Sequence, residues 1–388
     1  MIKSDIVIAG YAETPIQFRT HRTAYDLGGE VFSALLASTG IEPGMVDGVS
    51  ITTSISEAGN NFLANYMCEA LGLTPQWLNT SSLGGASVVA GVARAASAIR
   101  DGQCEAVIVL SADAPSTRTQ QVYGAYRNEF MDPTGILNPP PVFGMLMCRY
   151  AHQHGLDVEA LGRIVLTQRQ HAILNENACS KLKVPISIDD YLSSRVIADP
   201  LRLLDCVMYC DGANAVFVTT EKRAQELGLK KMARIAGYAE ITNHNGTASC
   251  PDIMETGFDV VAPRVYAESG LAPKDISMVQ LYDDFTIAVL MQLEAFGFCS
   301  KGEGSAYVLK TDLSSRGVLP LNTGGGQLSA GQPGLAGGGV MVAEAVRQLF
   351  GEAGQRQIAN ARNALITGLG VIPYMRGWST SAAMILEV

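Results

Sequence analysis

Residues 36–51 read LASTGIEPGMVDGVSI, and residues 266–281 read YAESGLAPKDISMVQL. The segments stand 230 positions apart and share the order small–Gly–apolar–x–Pro–x–x–apolar: Gly40 matches Gly270, Pro43 matches Pro273 and Val49 matches Val279. Each reads as the end of an amphipathic helix, a turn and a short strand. The stretches GANAVFVTT (212–220) and TSAAMILEV (380–388) are similar too, and both read as buried apolar strands. Agreement at two places in the same order makes the chain a duplication.

The elements around these anchors support two halves. The first half alternates strand 6–9, helix 25–38, strand 48–53, helix 60–71, strand 77–79, helix 85–100 and strand 106–111. The second alternates strand 233–239, helix 260–269, strand 278–282, helix 287–296, a strand near Leu319, helix 340–350 and strand 364–367. Such alternation predicts an α/β fold with parallel-rich sheets covered by helices. The halves are expected at 1–225 and 226–388, with an insertion over about 113–205 in the first. Insertions of that size build lids or substrate walls. Tyr123, Tyr126, Phe130, Phe143, Met145 and Met147 offer an apolar wall there, and a core role stands equally open.

Bulk properties narrow the function classes. The chain has 388 residues, 47% of them apolar and 17% charged, with a net charge of −9. That balance excludes disorder and argues against nucleic-acid binding. The N-terminal apolar run is too short for a signal peptide, and no stretch approaches the roughly 20 apolar residues of a membrane span. Eight scattered cysteines without a CxxC pair read as reduced thiols, which points to a cytoplasmic protein. The five histidines do not cluster with them at zinc spacing, so no metal is expected.

In α/β sheets, ligands bind beyond the carboxyl ends of strands, and three strand ends carry candidates. The first is LNTSSLGGASVVAGVARAA (78–96), where Ser82 sits on a turn before a helix. Ser82 is positioned as a nucleophile, while Ser81 or Ser82 as a plain helix cap is the simpler reading. The small residues of that helix suit close packing on a second small-faced helix, and 340–350 is the candidate partner. The second is LYDDFT (281–286), where Tyr282 reads as core or as a hydroxyl in a cleft, and Asp283 or Asp284 as a cap or a functional acid. The third is NTGGGQLSAGQPGLAGGG (322–339), with eight glycines in eighteen positions. Glycine at this density costs backbone entropy, and a linker rarely opens into an apolar helix, so a site loop is favoured.

Together, in this order and on a duplicated frame, these segments resemble the thiolase superfamily over essentially the whole chain. The resemblance is greatest to the sterol-carrier-type thiolases and their lipid-transfer relatives, and SRVIADPLRLLDCVMYCDGANAVFV (194–218) and FGFCSKGEG (296–304) add to it. It implies a five-layered αβαβα fold of two similar halves with an inserted loop domain. It also implies a homodimer formed by pairing strands 76–79, and a coenzyme A thioester as ligand. VFGMLMCRYAHQHGLDVEAL (142–161) resembles a family loop that runs into a helix, which puts His152 and His154 on a surface; His171 and His244 stay unassigned.

At the decisive positions this chain departs from the family. Ser82 stands where the family has its nucleophilic cysteine, and Gly331-Gln332-Pro333 replaces Gly-His-Pro. Tyr282 replaces the Asn or His that binds the thioester oxygen, and Gly368-Leu369-Gly370 replaces the Cys-x-Gly of the second cysteine. A serine hydroxyl is a poor nucleophile without a base, and glutamine has no group that ionises in the working range. Hydrogen-bond donors for an oxyanion or enolate remain. The resemblance thus implies retro-aldol cleavage of a CoA thioester in lipid or steroid-like side-chain metabolism, with Tyr282 and Asp283 as acid/base groups. A small partner combining a zinc ribbon and an OB fold goes with that branch. Expected substrate contacts are Gly325, Gly326, Ser329, Gly331, Phe143, Met147 and Gly370. Two alternatives stand beside it: an acetyl-CoA acetyltransferase-like enzyme using Ser82, and a non-catalytic acyl-CoA carrier.

Overall fold

The computed structural model describes residues 5–118, 132–136, 139–245, 252–370 and 378–388. Tyr123, Tyr126 and Phe130 lie outside the described residues. In the first half the elements are β1 (Ile6–Glu13), α1 (Ala24–Thr39), β2 (Gly48–Thr52), α2 (Leu63–Ala70), β3 (Trp77–Ser81), α3 (Ser87–Arg100) and β4 (Ala106–Asp113). The insertion supplies α4 (Pro139–His154), α5 (Val158–Ile173), α6 (Ile188–Leu192) and a hairpin of β5 (Val196–Ala198) and β6 (Leu201–Arg202). Then follow β7 (Gly212–Thr220), α7 (Glu221–Glu226), β8 (Ala233–Thr242), α8 (Phe258–Ser269), β9 (Val279–Gln280), α9 (Thr286–Ala295), α10 (Gly304–Lys310), α11 (Gly326–Ala330), α12 (Gly337–Leu349), β10 (Asn363–Leu369) and β11 (Thr380–Glu387).

The repeated segments adopt the same conformation. α1 ends at Gly40 (φ 70°, ψ 9°), whose N–H bonds to the Leu36 carbonyl, and α8 ends at Gly270 (φ 74°, ψ 9°), bonded to Tyr266. This left-handed stop suits glycine because it has no Cβ. A single 3-10 turn starting at Pro43 or Pro273 then leads into β2 or β9.

One sheet runs in the order β3-β2-β4-β7-β1-β8-β11-β10-β9. β2 is parallel to β3 and β4, while β4/β7 and β7/β1 are antiparallel. The second half repeats the pattern: β9/β10 parallel, β10/β11 and β11/β8 antiparallel. In place of the strand expected near Leu319 there is one parallel bridge, Leu321 to Val279, where β3 would have its counterpart. The sheet is therefore mixed rather than parallel-rich, because β7 and β11 each run antiparallel to both of their neighbours. The halves join at β1 and β8, antiparallel through Val7–Arg234 and Ile8–Ala233.

Strand alternation sorts the apolar side chains into three cores. Ile108, Leu110 and Phe217 pack outward on α1 and α2, whereas Val107, Val109, Val216 and Val218 pack inward on α3 and α12. Ile366, Met384 and Leu386 meet α3 and α12 from the other half, and Leu365, Ala383 and Ile385 face α8 and α9. Helix, sheet, helix pair, sheet, helix is the five-layered αβαβα arrangement, and α3 with α12 forms its middle.

The middle layer depends on closeness. A Cβ on Gly338 would lie 2.3 Å from the Gly85 carbonyl oxygen, and one on Gly368 would lie 2.7 Å from the Ala86 Cα. The small-faced helix packing expected from the sequence is present. Beneath it, Glu344 of α12 is buried between Arg347 (2.7 Å) and Arg356, and Arg347 reaches Glu13 of β1 at 2.6 Å. Burial alone would raise the Glu344 carboxyl, but Arg356 and Arg347 hold it below its ordinary value. We expect Gly338→Ala to lower stability by about 1–3 kcal/mol through overpacking, read as a fall in the urea midpoint with the m-value unchanged.

Candidate active site

The ends of β3, β9 and β10 and the glycine segment enclose a cleft of ≈ 370 Å³, within the size range of small-molecule sites. Its walls include Thr53, Ser54, Ile55, Ser82, Gly85, Tyr209, Tyr282, Asp284, Gln332, Leu335, Leu369 and Gly370. Ser82, Tyr282, Gln332 and Gly370, far apart in sequence, thus meet as expected. No histidine or cysteine lines the cleft among the described residues.

Tyr282 stands two residues past the end of β9 and is only 4% exposed. Its N–H donates to Thr367 Oγ1 (2.8 Å), its carbonyl accepts from Gln292 Nε2 (2.8 Å), and its ring lies over Gly85, where a Cβ would be 2.2 Å from the phenol oxygen. Gln332 Nε2 stands 3.5 Å from that oxygen. Burial, then the charges of Asp284 and Tyr209, push the phenol well above its ordinary value. The backbone holds Gln332: its N–H donates to Met208 O (3.0 Å), and its carbonyl accepts from Cys210 N–H (2.8 Å).

Ser82 is exposed at the rim. Neither Ser81 nor Ser82 caps the following helix: Ser87 Oγ accepts from Leu83 N–H at 2.8 Å, and Ser81 Oγ accepts from Asn79 Nδ2 at 3.2 Å.

The acid in the cleft is Asp284, not the expected Asp283. Asp283 is buried behind the wall, where it accepts from the N–H groups of Gln327 (2.9 Å) and Leu328 (3.3 Å) at the start of α11. It anchors the glycine segment. Asp284 faces the cleft, and its Oδ1 has no hydrogen-bond partner among the described residues. Burial and the neighbouring Asp283 raise it to about 8.

Six expected substrate contacts lie outside the lining of this cleft. Gly325, Gly326, Ser329 and Gly331 are not among the cleft-lining residues. A Cβ would strike Ala172 at Gly325 (2.6 Å), Asp283 Oδ2 at Gly326 (2.0 Å) and Cys210 Sγ at Gly331 (2.8 Å), while Ser329 Oγ accepts from Arg169 Nε (3.4 Å). These positions bring protein close to protein. Phe143 and Met147 are buried in α4, and Phe143 stacks on Phe285 with ring centroids 3.9 Å apart, backing the turn that carries Asp284. His171 is structural too: Ser315 N–H donates to its Nε2 (3.0 Å), and its Nδ1 lies 3.2 Å from Asn322 O.

Sequence reading missed Tyr209 and the loop 53–55. The repeat could have found the loop, since Thr53 and Ser54 are the counterparts of Asp283 and Asp284 at an offset of 230. The buried Asp113 shapes that loop by accepting from Ser54 Oγ (2.8 Å), Ile55 N–H (2.8 Å) and Ser56 N–H (3.0 Å), and it also accepts from Leu335 N–H (3.0 Å). Tyr209 gave no comparable signal.

The thiolase N-terminal domain family matches residues 6–222, and the thiolase C-terminal domain-like family matches residues 239–387. The chain is 31% identical over 384 residues to a steroid side-chain-cleaving aldolase of Thermomonospora curvata, covering 94% of this chain and 95% of that one. It is 32% identical over 391 residues to a 17-hydroxy-3-oxo-4-pregnene-20-carboxyl-CoA lyase of Mycobacterium tuberculosis, covering 96% and 98%. The solved Ltp2-ChsH2(DUF35) aldolase matches with a TM-score of 0.86 and 29% identity, over 100% of this chain and 98% of that one. The chain belongs to the thiolase family.

A carboxyl raised on folding favours the folded state while it is protonated and opposes it once ionised. The contribution of Asp284 is thus present near pH 4 and lost as pH rises through about 8. Urea midpoints of the wild type should fall over that range, and Asp284→Asn should fall less.

Proposed function

We propose that this chain cleaves a carbon–carbon bond of a β-hydroxyacyl-CoA thioester by retro-aldol chemistry. The observation that carries the reading is the meeting of Tyr282, Asp284 and Gln332 in a cleft that no cysteine or histidine lines among the described residues. Ionised Asp284 takes the hydroxyl proton, and the electron pair of the O–H bond becomes the new carbonyl. The Cα–Cβ bond breaks, and its pair passes to the thioester as an enolate. Gln332 donates to the enolate oxygen, and the Tyr282 phenol protonates Cα to release the shortened acyl-CoA. The carboxyl raised toward neutrality suits a base that must also give its proton up. The aldolase and lyase relatives support this chemistry. Ser82, on the rim, takes no part in these steps.

The cleft accommodates the thioester and the reacting carbons, with CoA as part of the substrate rather than a resident cofactor. No helix among the described residues is long and apolar enough to cross a membrane. In line with the neighbour named for two components, we assign a small zinc-ribbon/OB-fold protein as second subunit. The edge strand β3 is the homodimer surface: its outer side is open, Leu78 and Thr80 are exposed on it, and α2 beside it exposes Phe62 and Tyr66.

Aldehyde or ketone release from a β-hydroxyacyl-CoA should drop by about 10²–10⁴-fold in Tyr282→Phe, while Ser82→Ala keeps it. Retained label on Ser82 after incubation with radiolabelled acyl-CoA would sink the lyase reading in favour of acyl transfer. The rate should rise with pH through about 8, and this limb should vanish in Asp284→Asn. Leu78→Lys should shift the sedimentation coefficient of the dimer to that of a monomer.

A further inference from the structure

Gln327 is the second residue of α11, is not among the cleft-lining residues and is fully buried. Its backbone is committed: the N–H donates to Asp283 Oδ1, and the carbonyl accepts from Gly331 N–H at 3.1 Å. Its side chain is not. Neither Oε1 nor Nε2 meets a described residue in good hydrogen-bond geometry, although the amide is near enough to the Tyr282 phenol and the Asp283 carboxyl to favour the ionised form of both. The amide is also held in place. Oε1 rests on the Cα of Gly337, where a Cβ would be 1.9 Å away, and Gln332 Cγ would touch the same Cβ at 3.3 Å. Gln327 and Gln332 thus flank Gly337, and Gln332 reaches the Tyr282 oxygen from one side. A buried amide with both ends unpaired is costly, and each such group needs an explanation.

We propose that Gln327 is a positioning residue for Tyr282: when the phenol gives up its proton in the reaction, the Gln327 amide donates to the phenolate oxygen and holds it toward the cleft. This rests on the retro-aldol reading, in which Tyr282 protonates the enolate carbon. The phenolate then forms beside Asp283 and Tyr209, which oppose its charge, while Asp284 is by then protonated. Gln332 stands 3.5 Å away at the cleft side and serves the enolate oxygen. Gln327 is therefore the donor left for the phenolate. An amide donor preorganised in a dry site costs no reorganisation when the charge forms. An amide left short of good geometry in the resting protein is the expected counterpart of a bond completed only when the phenolate forms.

The test compares Gln327→Met, Gln327→Glu, Tyr282→Phe and Tyr282→Phe/Gln327→Met in retro-aldol turnover of a β-hydroxyacyl-CoA. Gln327→Met should lower kcat by about 10- to 100-fold with KM unchanged, as for loss of one donor that acts on a developing charge. In the Tyr282→Phe background the same change should cost nothing further, since the partner is gone. Gln327→Glu has the same size and donates only while protonated. Its kcat relative to wild type should therefore fall as pH rises, which a space-filling role would not produce. Wild-type kcat in Gln327→Met, or additive losses in the double variant, would overturn the proposal. If Gln327→Met does not fold, a flat pH ratio for Gln327→Glu overturns it equally. Unchanged cleavage in Tyr282→Phe would instead remove the role of Tyr282 itself, so the two failures are distinguishable.

Discussion

Three buried carboxylates pin the glycine segment, and the site depends on that pinning. Thr323 donates to Glu344 Oε1 at 2.8 Å, Gln327 and Leu328 N–H groups donate to Asp283, and Leu335 N–H donates to Asp113. Each carboxylate belongs to a different layer: Glu344 to the central helix α12, Asp283 to the end of β9, and Asp113 to the end of β4. A segment so rich in glycine has little order of its own. Fixed at three points, it carries Gln332 to the phenol of Tyr282 and closes one wall of the cleft. Charge-assisted bonds of this kind are strong where water is excluded.

The same pinning sets the electrostatics. Asp283 is raised to about 7 by burial, and its two backbone N–H partners pull against that rise. Asp284, one residue on, lacks such help for Oδ1 and is raised to about 8 by burial and by Asp283. Adjacent carboxyls so close cannot both ionise freely. The structure thereby separates them into an anchor, committed to α11, and a group free to exchange protons with whatever enters the cleft. Tyr282 sits beside both, under a ceiling formed by Gly85, so its hydroxyl has one direction to face. Loss of the Cys and His of the family leaves a site built from a phenol, a carboxyl and amides, which suits stabilising an enolate better than forming an acyl-enzyme.

Much of this architecture was legible in the chain. The spacing of Gly40–Pro43 and Gly270–Pro273 is helix-stop chemistry and a turn, local enough to be read from residue type, and it repeats with matching φ and ψ. The small residues of α3 were legible for the same reason, because only small side chains permit contact such as Gly338 against Gly85. Positions of Ser82, Tyr282, Gln332 and Gly370 followed from strand ends and from the family resemblance. What the local pattern missed concerns the glycines expected to approach a ligand. Gly325, Gly326 and Gly331 face Ala172, Asp283 and Cys210, contacts made across long sequence separations that no local pattern encodes.

By itself, then, the sequence determined the duplicated α/β frame, its insertion and the strand ends where chemistry sits, since caps, turns and alternation act over a few residues. Only the tertiary structure decided which of two neighbouring aspartates faces the cleft, that Tyr209 and loop 53–55 complete it, and that Phe143 packs on Phe285 behind the turn. Those outcomes turn on side-chain direction and on burial against distant segments. A one-residue step at the end of a strand turns a side chain to the opposite face, and Asp283 and Asp284 differ by that one step.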